Sequence, residues 1–378
     1  MTGRIYLDHN ATAPPVPGVA DLLGRLWASG WGNPSSAHAE GRRARALLET
    51  ARGQVAAAAG AVREEVVFCS GGSEADALAL RGLVEAGGID ALVIGALEHP
   101  AVAETAHRMA AERGLPLISV TATRDGVIEP AAVAAALSGT RRALVSVMLA
   151  QNEIGTLNDV AAIAARAHAA GALVHVDAVQ AFGKVPVDFR KLGADLVSLS
   201  SHKIGGPPGV GALLVRGGLA PVPFCAGGGQ EGDRRPGTEA LPLAVAFGAA
   251  AERVPERLAA APALSARRDR FESALLRRVP GTRIAGAGAA RLPNTAALVF
   301  EGRDGRAIAA GCDARGLAVS AGSACHSARG GGSAVMLALG YEARWQRGLV
   351  RVSLGPENGD GDLERAVEIL ADAAREAA

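Results

Sequence analysis

Four short segments carry residue types that could do chemistry. The first is Ser70-Gly71-Gly72-Ser73-Glu74, placed between an apolar run and a helical pattern. Small residues let backbone N–H groups approach an anion, and a helix N-terminus favours negative charge. The segment could cradle a phosphate, or it could be an ordinary strand-to-helix turn with Ser73 as N-cap. It is not G-x-G-x-x-G and lacks the lysine of a P-loop. The second is Val174-His175-Val176-Asp177-Ala178-Val179-Gln180. Asp177, at the end of an apolar run, could hold a protonated ring nitrogen or cap a following helix. The third is Leu199-Ser200-Ser201-His202-Lys203-Ile204-Gly205-Gly206. A buried lysine has a depressed pKa and forms Schiff bases, whereas a surface lysine does neither. The chain has three lysines, Lys184, Lys191 and Lys203, so lysine chemistry has three candidates; Lys184 is the main competitor of Lys203. The fourth is Ser320-Ala321-Gly322-Ser323-Ala324-Cys325-His326-Ser327, followed by Arg329 and Gly330-Gly331-Gly332. A cysteine in a glycine-rich loop is unusual, because free cysteines are normally buried. His326 and Arg329 could favour its thiolate; the plainer reading is a turn with an incidental cysteine.

These segments need elements to position them. Apolar runs at Val66–Cys69, Ala91–Ala96, Leu117–Val120, Ala143–Leu149, Leu173–Val176, Leu196–Leu199 and Gly211–Val215 predict strands. Helical patterns at Glu74–Glu85, Val102–Arg113 and Val160–Ala170 lie between them. Strands without polar alternation, separated by helices, indicate an α/β fold: a buried, mostly parallel central sheet flanked by helices. Ligands sit at the carboxyl ends of strands in such sheets. The pattern changes near residue 250. A long Arg- and Glu-rich helix is predicted over residues 252–279, strands at Thr295–Phe300 and Val350–Leu354, and an amphipathic helix from Asp362 with Leu363, Val367, Leu370 and Ala374 on one face. This reads as a smaller α+β C-terminal domain.

Composition narrows the possibilities. The 378 residues are 49% hydrophobic and 20% charged, enough to bury a large core. Aromatics at 3% argue against a stacking platform for single-stranded nucleic acid. A net charge of +1 argues against a nucleic-acid or anionic-membrane partner. The longest apolar run, near Ala240–Ala251, contains Pro242 and is too short for a membrane span. The N-terminal MTGRIYLDHN lacks the apolar core of a signal peptide. The cysteines Cys69, Cys225, Cys312 and Cys325 show neither zinc-ligand spacing nor a disulfide framework. The expectation is a cytoplasmic protein with reduced thiols and no metal. A nicotinamide dehydrogenase fails for want of the glycine fingerprint: Gly286-Ala287-Gly288 is followed by Arg291.

The order of phosphate turn, strand-end Asp, strand-end Lys and loop Cys is what a pyridoxal-phosphate enzyme requires. The sequence resembles the cysteine desulfurases among the class V aminotransferases, which are fold-type I pyridoxal-phosphate enzymes. The resemblance runs over nearly the whole chain. It rests on Tyr6-Leu7-Asp8-His9-Asn10-Ala11-Thr12, Gly32-Asn33-Pro34-Ser35-Ser36-Ala37-His38, Ser70-Gly71-Gly72-Ser73-Glu74, Glu98-His99 and Gln151-Asn152-Glu153-Ile154-Gly155. It continues in Asp177-Ala178-Val179-Gln180, Ser200-Ser201-His202-Lys203, Gly227-Gly228-Gly229-Gln230-Glu231, Arg235-Pro236-Gly237-Thr238, Ser323-Ala324-Cys325 and Arg351-Val352-Ser353-Leu354-Gly355.

The resemblance implies pyridoxal 5'-phosphate as cofactor, L-cysteine as substrate and alanine as product. Lys203 resembles the Schiff-base lysine, Asp177 the pyridinium partner, and Gln180 a hydrogen-bond partner of the ring hydroxyl. His99 resembles the residue that stacks on the ring and helps in proton transfer. Gly72, Ser73, Ser200 and His202 resemble the phosphate site, joined by Thr238 from the second subunit of a homodimer. Asn152 and Arg351 resemble the substrate-carboxylate clamp, Asn152 also contacting the cofactor. Cys325 resembles the nucleophile that accepts sulfur as a persulfide. The spacing from Cys325 to Ser333 resembles the long-loop group, which hands sulfur to scaffold or carrier proteins for iron–sulfur clusters, thio-cofactors or tRNA. The implied organisation is a large cofactor-binding domain over 13–250, with 1–12 and 251–378 forming the small domain that carries the cysteine loop. Three departures from the family pattern stand out. Ala-Thr-Glu-Ser-Asn-Asn is Gly72-Ser73-Glu74-Ala75-Asp76-Ala77 here, Leu-Glu-Pro after the cysteine loop is Gly330-Gly331-Gly332, and an Arg is Gly232. The alternatives are a selenocysteine lyase or other class V lyase or aminotransferase, and a non-catalytic scaffold paralogue. Loss of activity on replacing Cys325 separates the first from a desulfurase.

Overall fold

The computed structural model describes residues 3–29, 31–322 and 333–377. Twelve strands are described: β1 (Ile5–Tyr6), β2 (Val66–Cys69), β3 (Ala91–Gly95), β4 (Leu117–Val120), β5 (Ala143–Met148), β6 (Leu173–Asp177), β7 (Leu196–Ser200), β8 (Gly211–Val215), β9 (Thr282–Ile284), β10 (Thr295–Phe300), β11 (Leu317–Ala318) and β12 (Leu349–Ser353). Seven of them form one sheet in the order β2-β8-β7-β6-β5-β3-β4. Pairings from β4 through β7 are parallel, while β8 runs antiparallel to both β7 and β2. The reversal has a local cause. Only Ser201–Val210 connects β7 to β8, too few residues for the helical crossover a parallel neighbour needs.

Successive residues of these strands point to opposite faces, and both faces are buried in every strand but the edge strand β4, which is partly exposed. Val66, Phe68, Val145, Val147, Val174, Val176, Val197 and Leu199 pack against helices Ala39–Ala58, Val160–Ala169 and Leu241–Ala251. Val67, Cys69, Leu92, Ile94, Leu144, Leu196 and Leu213 pack against helices Gly72–Ala86 and Pro100–Arg113. The double burial explains why the strands read as continuous apolar runs.

The three-stranded antiparallel sheet, ordered β12-β10-β9, has its own core. One face meets helices Val254–Arg278, Gly305–Ala314 and Asp360–Glu376, together with Ile5 and Leu7. Leu363, Val367, Leu370 and Ala374 are buried, as their periodicity predicts. The first residues of the chain join this core through the parallel pair β1–β11. That pair, β9, and the helices Val19–Ser29, Ala39–Ala58 and Leu241–Ala251 were not expected from the sequence patterns. Two-residue strands are too short to show a period, and the Ala-rich sequences of Ala39–Ala58 and Leu241–Ala251 blur the contrast between their faces.

Candidate active site

Strand register brings the chemistry to one edge of the large sheet. Met148 stands level with Asp177, and Asp177 with Ser198. Ser200 and Cys69 both stand level with Gly211. Beyond these strand ends lies a cleft of ≈ 280 Å³. Its walls include Gly72, Ser73, His99, Asn152, Asp177, Gln180, Ser200, His202, Lys203 and Arg351. Of the other two expected site residues, Thr238 is exposed and does not line the cleft. Cys325 lies outside the described residues.

At one end of the cleft, helix Gly72–Ala86 presents its N-terminus. Its N-cap is Gly71, with Ser73 inside the first turn, so the alternative of Ser73 as a plain N-cap does not hold. The first N–H groups of a helix have no intrahelical acceptor and carry partial positive charge. A Cβ on Gly72 would come within 2.7 Å of Val179 Cγ2, so only glycine leaves this space open. Glu74 braces the turn: Oε2 accepts from Ser70 N at 2.7 Å and Oε1 from Arg235 Nε at 2.9 Å. The same contact ties the turn to the loop that carries Thr238. That loop is anchored by a buried ion pair. Arg52 Nη1 and Nη2 donate to Glu231 Oε2 and Oε1 at 2.6 and 2.9 Å, and Phe68 N donates to Oε2 at 2.8 Å.

Asp177 does not cap a helix. It closes β6, and Oδ1 accepts from Val179 N at 2.8 Å. Burial pushes its pKa up, against the pull of His99, the Val179 N–H and Lys203. Two further buried carboxyls surround it. Asp76 is 2% exposed, and burial followed by the Asp177 charge pushes it well above the ordinary range. Glu98 Oε1 accepts from Met148 N at 2.9 Å, and its carboxyl is likewise pushed well up by burial. His175, beneath Asp177 on β6, bonds Ser146 Oγ at 2.8 Å and Ser198 Oγ at 2.9 Å; burial holds its pKa down to about 3.

His99 is the N-cap of helix Pro100–Arg113, with Nδ1 accepting from Ala101 N at 3.1 Å. An Nδ1 acceptor leaves Nε2 as the proton-bearing nitrogen of the neutral ring. Lys203 sits in the 3₁₀ turn Ser201–Ile204 that follows β7. Its Nζ donates to the carbonyls of Asn10 and Ala11 at 2.6 and 2.9 Å. Gly205 ends this turn at φ +80°, and a Cβ there would meet the Pro14 carbonyl at 2.7 Å. His202 Nδ1 lies 3.0 Å from Thr12 Oγ1. Burial, then the charges of Lys203 and Lys184, push its pKa down to about 4.

Arg351 reaches the cleft from β12 of the smaller sheet, 2% exposed. Nη1 donates to the Asn152 carbonyl at 2.9 Å and Nη2 to Asp8 Oδ1 at 2.7 Å. Its buried Nε has no hydrogen-bond partner among the described residues.

Sequence reasoning missed Asn10 and Asp76 as cleft residues, along with Ala11, Met148, Ala150 and Val179. Asn10 is a hub. Its carbonyl accepts from Lys203 and Gln180, its Oδ1 from Lys184 and Asn294, and its Nδ2 donates to Thr295 Oγ1. Its place in the Tyr6–Thr12 motif was the available signal. For Asp76 the signal was the departure from the family pattern.

The donor set fits pyridoxal phosphate. An anion cradle, a buried carboxylate, an amide and an amine line one cleft, the groups that its phosphate, ring nitrogen, ring hydroxyl and aldehyde call for. Among the described residues no cluster of ligands could hold a metal, and no helix is long and apolar enough to cross a membrane.

The Aminotransferase class-V family pattern matches residues 5–366. The chain belongs to the class V aminotransferase family. Within the family it stands with the cysteine desulfurases. The cysteine desulfurase of Gluconacetobacter diazotrophicus is 38% identical over 97% of this chain and 92% of that protein. The IscS-like cysteine desulfurase of Mycobacterium tuberculosis is 37% identical over 97% and 95%. Among solved structures, the NifS-like protein from Rickettsia africae aligns with a TM-score of 0.88 at 30% identity, covering 98% of this chain and 99% of that one. A structure of SspA in complex with cysteine aligns with a TM-score of 0.83 at 30% identity, over 94% and 100%.

Proposed function

We propose that this class V desulfurase binds pyridoxal 5'-phosphate through Lys203, releases L-alanine from L-cysteine and carries the sulfur on Cys325 as a persulfide. The observation that carries the reading is the meeting of Lys203, Asp177, Gln180 and the helix N-terminus at Gly72 in one cleft with Arg351. Bound there, the cofactor supplies an electron sink that weakens the substrate's Cβ–S bond.

The chain's own residues do the rest. Gly72, Ser73, Ser200 and His202 hold the phosphate, His202 through a ring N–H. Asp177 holds the ring nitrogen and Gln180 the ring oxygen. The Arg351 guanidinium, steadied by Asp8 and the Asn152 carbonyl, receives the substrate carboxylate, for which its fork is the suitable shape. His99 carries protons at Nε2. The Cys325 thiolate attacks the substrate sulfur; an S–S bond forms as Cβ–S breaks, and the carbon takes a proton to become alanine. Thr238, exposed on a loop braced by Glu74–Arg235 and Arg52–Glu231, completes the phosphate site of a second subunit. The proposal includes cytoplasmic placement, transfer of sulfur to an acceptor protein, and the units 13–250 and 1–12 with 251–378.

The test is alanine and persulfide formation from L-cysteine with a thiol reductant, with the absorption spectrum of each protein recorded. Wild type is expected to turn over. Cys325→Ala should keep the visible cofactor band and lose desulfuration, and Lys203→Ala should lose the normal band. A wild-type protein that shows the band but forms no alanine, even with acceptor proteins added, overturns the substrate assignment.

A further inference from the structure

Lys184 is the one buried lysine that the proposed chemistry does not use. It is 6% exposed, lies outside the walls of the cleft, and borders a separate small cavity with His9 and Arg257. Its Nζ donates to Gln180 Oε1 at 2.7 Å and to Asn10 Oδ1 at 2.9 Å. Gln180 Nε2 in turn donates to the Asn10 carbonyl at 2.8 Å, the same carbonyl that accepts from Lys203.

We propose that Lys184 is a positioning residue that fixes the amide of Gln180, so that Gln180 turns an N–H donor, and not its oxygen, towards the ring oxygen of the cofactor. The inference rests on the cofactor reading above. A carboxamide has two orientations of nearly equal shape, and hydrogen bonding alone selects one. Inverting Gln180 would set its NH₂ against the Lys184 amine and its oxygen against the Asn10 carbonyl. Both contacts would become repulsive and both groups are buried, where an unmade hydrogen bond is costly. A charged Lys184 amine can only donate and so selects the Gln180 oxygen; a neutral one still has an N–H for each oxygen, and the Asn10 carbonyl continues to reject an inverted amide. With Oε1 occupied by Lys184 and one hydrogen of Nε2 on Asn10, the second hydrogen of Nε2 is left for the cleft that Gln180 lines.

The backbone keeps the pair together. Residues 180 and 184 lie one turn apart, in a segment where Lys184 N and Val185 N both donate to the Ala181 carbonyl. Gly183, at φ +73°, lets the turn press on Ile204, the neighbour of Lys203: a Cβ there would stand 2.7 Å from Ile204 Cγ2. The charged groups facing Lys184 are Lys203, Arg257 and Arg351, and its charge reaches His202.

A donor aimed at the ring oxygen stabilises its anionic form. Losing it leaves that oxygen more basic, so the visible band of the bound cofactor should keep its protonated form to higher pH. The experiment loads wild type, Lys184→Met, Gln180→Leu and the double variant with pyridoxal phosphate. It reads the pH midpoint of the band and the dissociation constant of the cofactor. Lys184→Met is expected to raise the midpoint by about 1 pH unit and to weaken cofactor retention about 10-fold. The double variant should match Gln180→Leu alone, because Lys184 acts through Gln180. Lys184→Gln keeps amide donors without the charge and should recover at least half of the shift. A folded Lys184→Met protein with the wild-type midpoint, fully additive shifts in the double variant, or a folded Lys184→Gln protein that behaves like Gln180→Leu each overturns the proposal, the last even where the methionine variant does not fold. A wild-type protein that shows no band overturns the cofactor reading itself, and this inference with it.

Discussion

Arg351 and Asp8, 343 positions apart in the chain, form an ion pair at 2.7 Å between Nη2 and Oδ1 in the wall of the cleft. Asp8 thereby sets the direction of a guanidinium whose Nε has no hydrogen-bond partner among the described residues. Arg351→Lys removes the planar fork, and KM for L-cysteine is expected to rise roughly 10- to 100-fold. Asp8→Ala should raise KM in the same direction by about tenfold, with a smaller effect on kcat. Steady-state alanine formation measures both. Unchanged KM in both variants would remove Arg351 from the substrate site.

His99 has two separable duties. Its Nδ1 caps a helix while the ring lines the cleft, and Nε2 is the proposed proton carrier. His99→Asn keeps a capping acceptor and loses the proton carrier, so kcat should fall roughly 10²- to 10⁴-fold at unchanged thermal stability. His99→Ala should show the same fall together with about 1 kcal/mol of lost stability. A kcat within tenfold of wild type in His99→Asn would sink the proton-transfer role.

The Arg52–Glu231 pair holds the loop that carries Thr238, with Glu231 itself at φ +51°. Arg52→Met strands a buried carboxylate, at an expected cost of roughly 3–5 kcal/mol in urea unfolding. Replacing both residues by apolar ones should cost less than the single change, because no charge is left unpaired. Equal losses would mean that packing of the arginine stem, and not its charge, holds the loop.

His175 makes a prediction in pH. Burial holds its folded pKa down to about 3 against an ordinary 6.5. Between those values the unfolded chain binds a proton that the folded chain does not, so unfolding is favoured as pH falls. Its contribution is fully present above pH 6.5 and is lost as pH drops towards 3. His175→Asn should flatten that part of the stability–pH curve, measured by chemical unfolding from pH 7 to 4. A wild-type slope in the variant would assign the acid sensitivity to other groups.

Much of this site was legible in the sequence because its residues stand at the ends of uniformly apolar strands. Asp177 and Lys203 each follow a run too apolar to be anything but buried, and the parallel sheet then brings those ends together. Asn10 was not legible as a hub, because its partners Gln180, Lys184, Lys203, Asn294 and Thr295 lie at least 170 positions away in sequence. Asp76 looked like a polar residue on a helix; only the packing of helix Gly72–Ala86 on the sheet makes it a neighbour of Asp177. Lys184 was legible as scarce and not as purposeful. Gln180 is a local partner one turn away, but Asn10 becomes one only when the first dozen residues fold back over the strand ends.

That fold-back sets a timetable for synthesis. Ser353 N donates to the Leu7 carbonyl, His9 N to the Ser353 carbonyl, and Asn10 N to Ser353 Oγ. The chain's opening segment therefore waits, through the making of the entire large sheet, for β12 to leave the ribosome. Until then the segment that bears the two carbonyls receiving Lys203 lacks its Ser353 anchors and has contacts such as those with Gln180, Lys184, His202 and Lys203 to hold it. A nascent chain that stalls before residue 349 can complete the seven-stranded sheet and still lack a working cleft, so ribosome-bound intermediates should be folded in their larger part and catalytically silent.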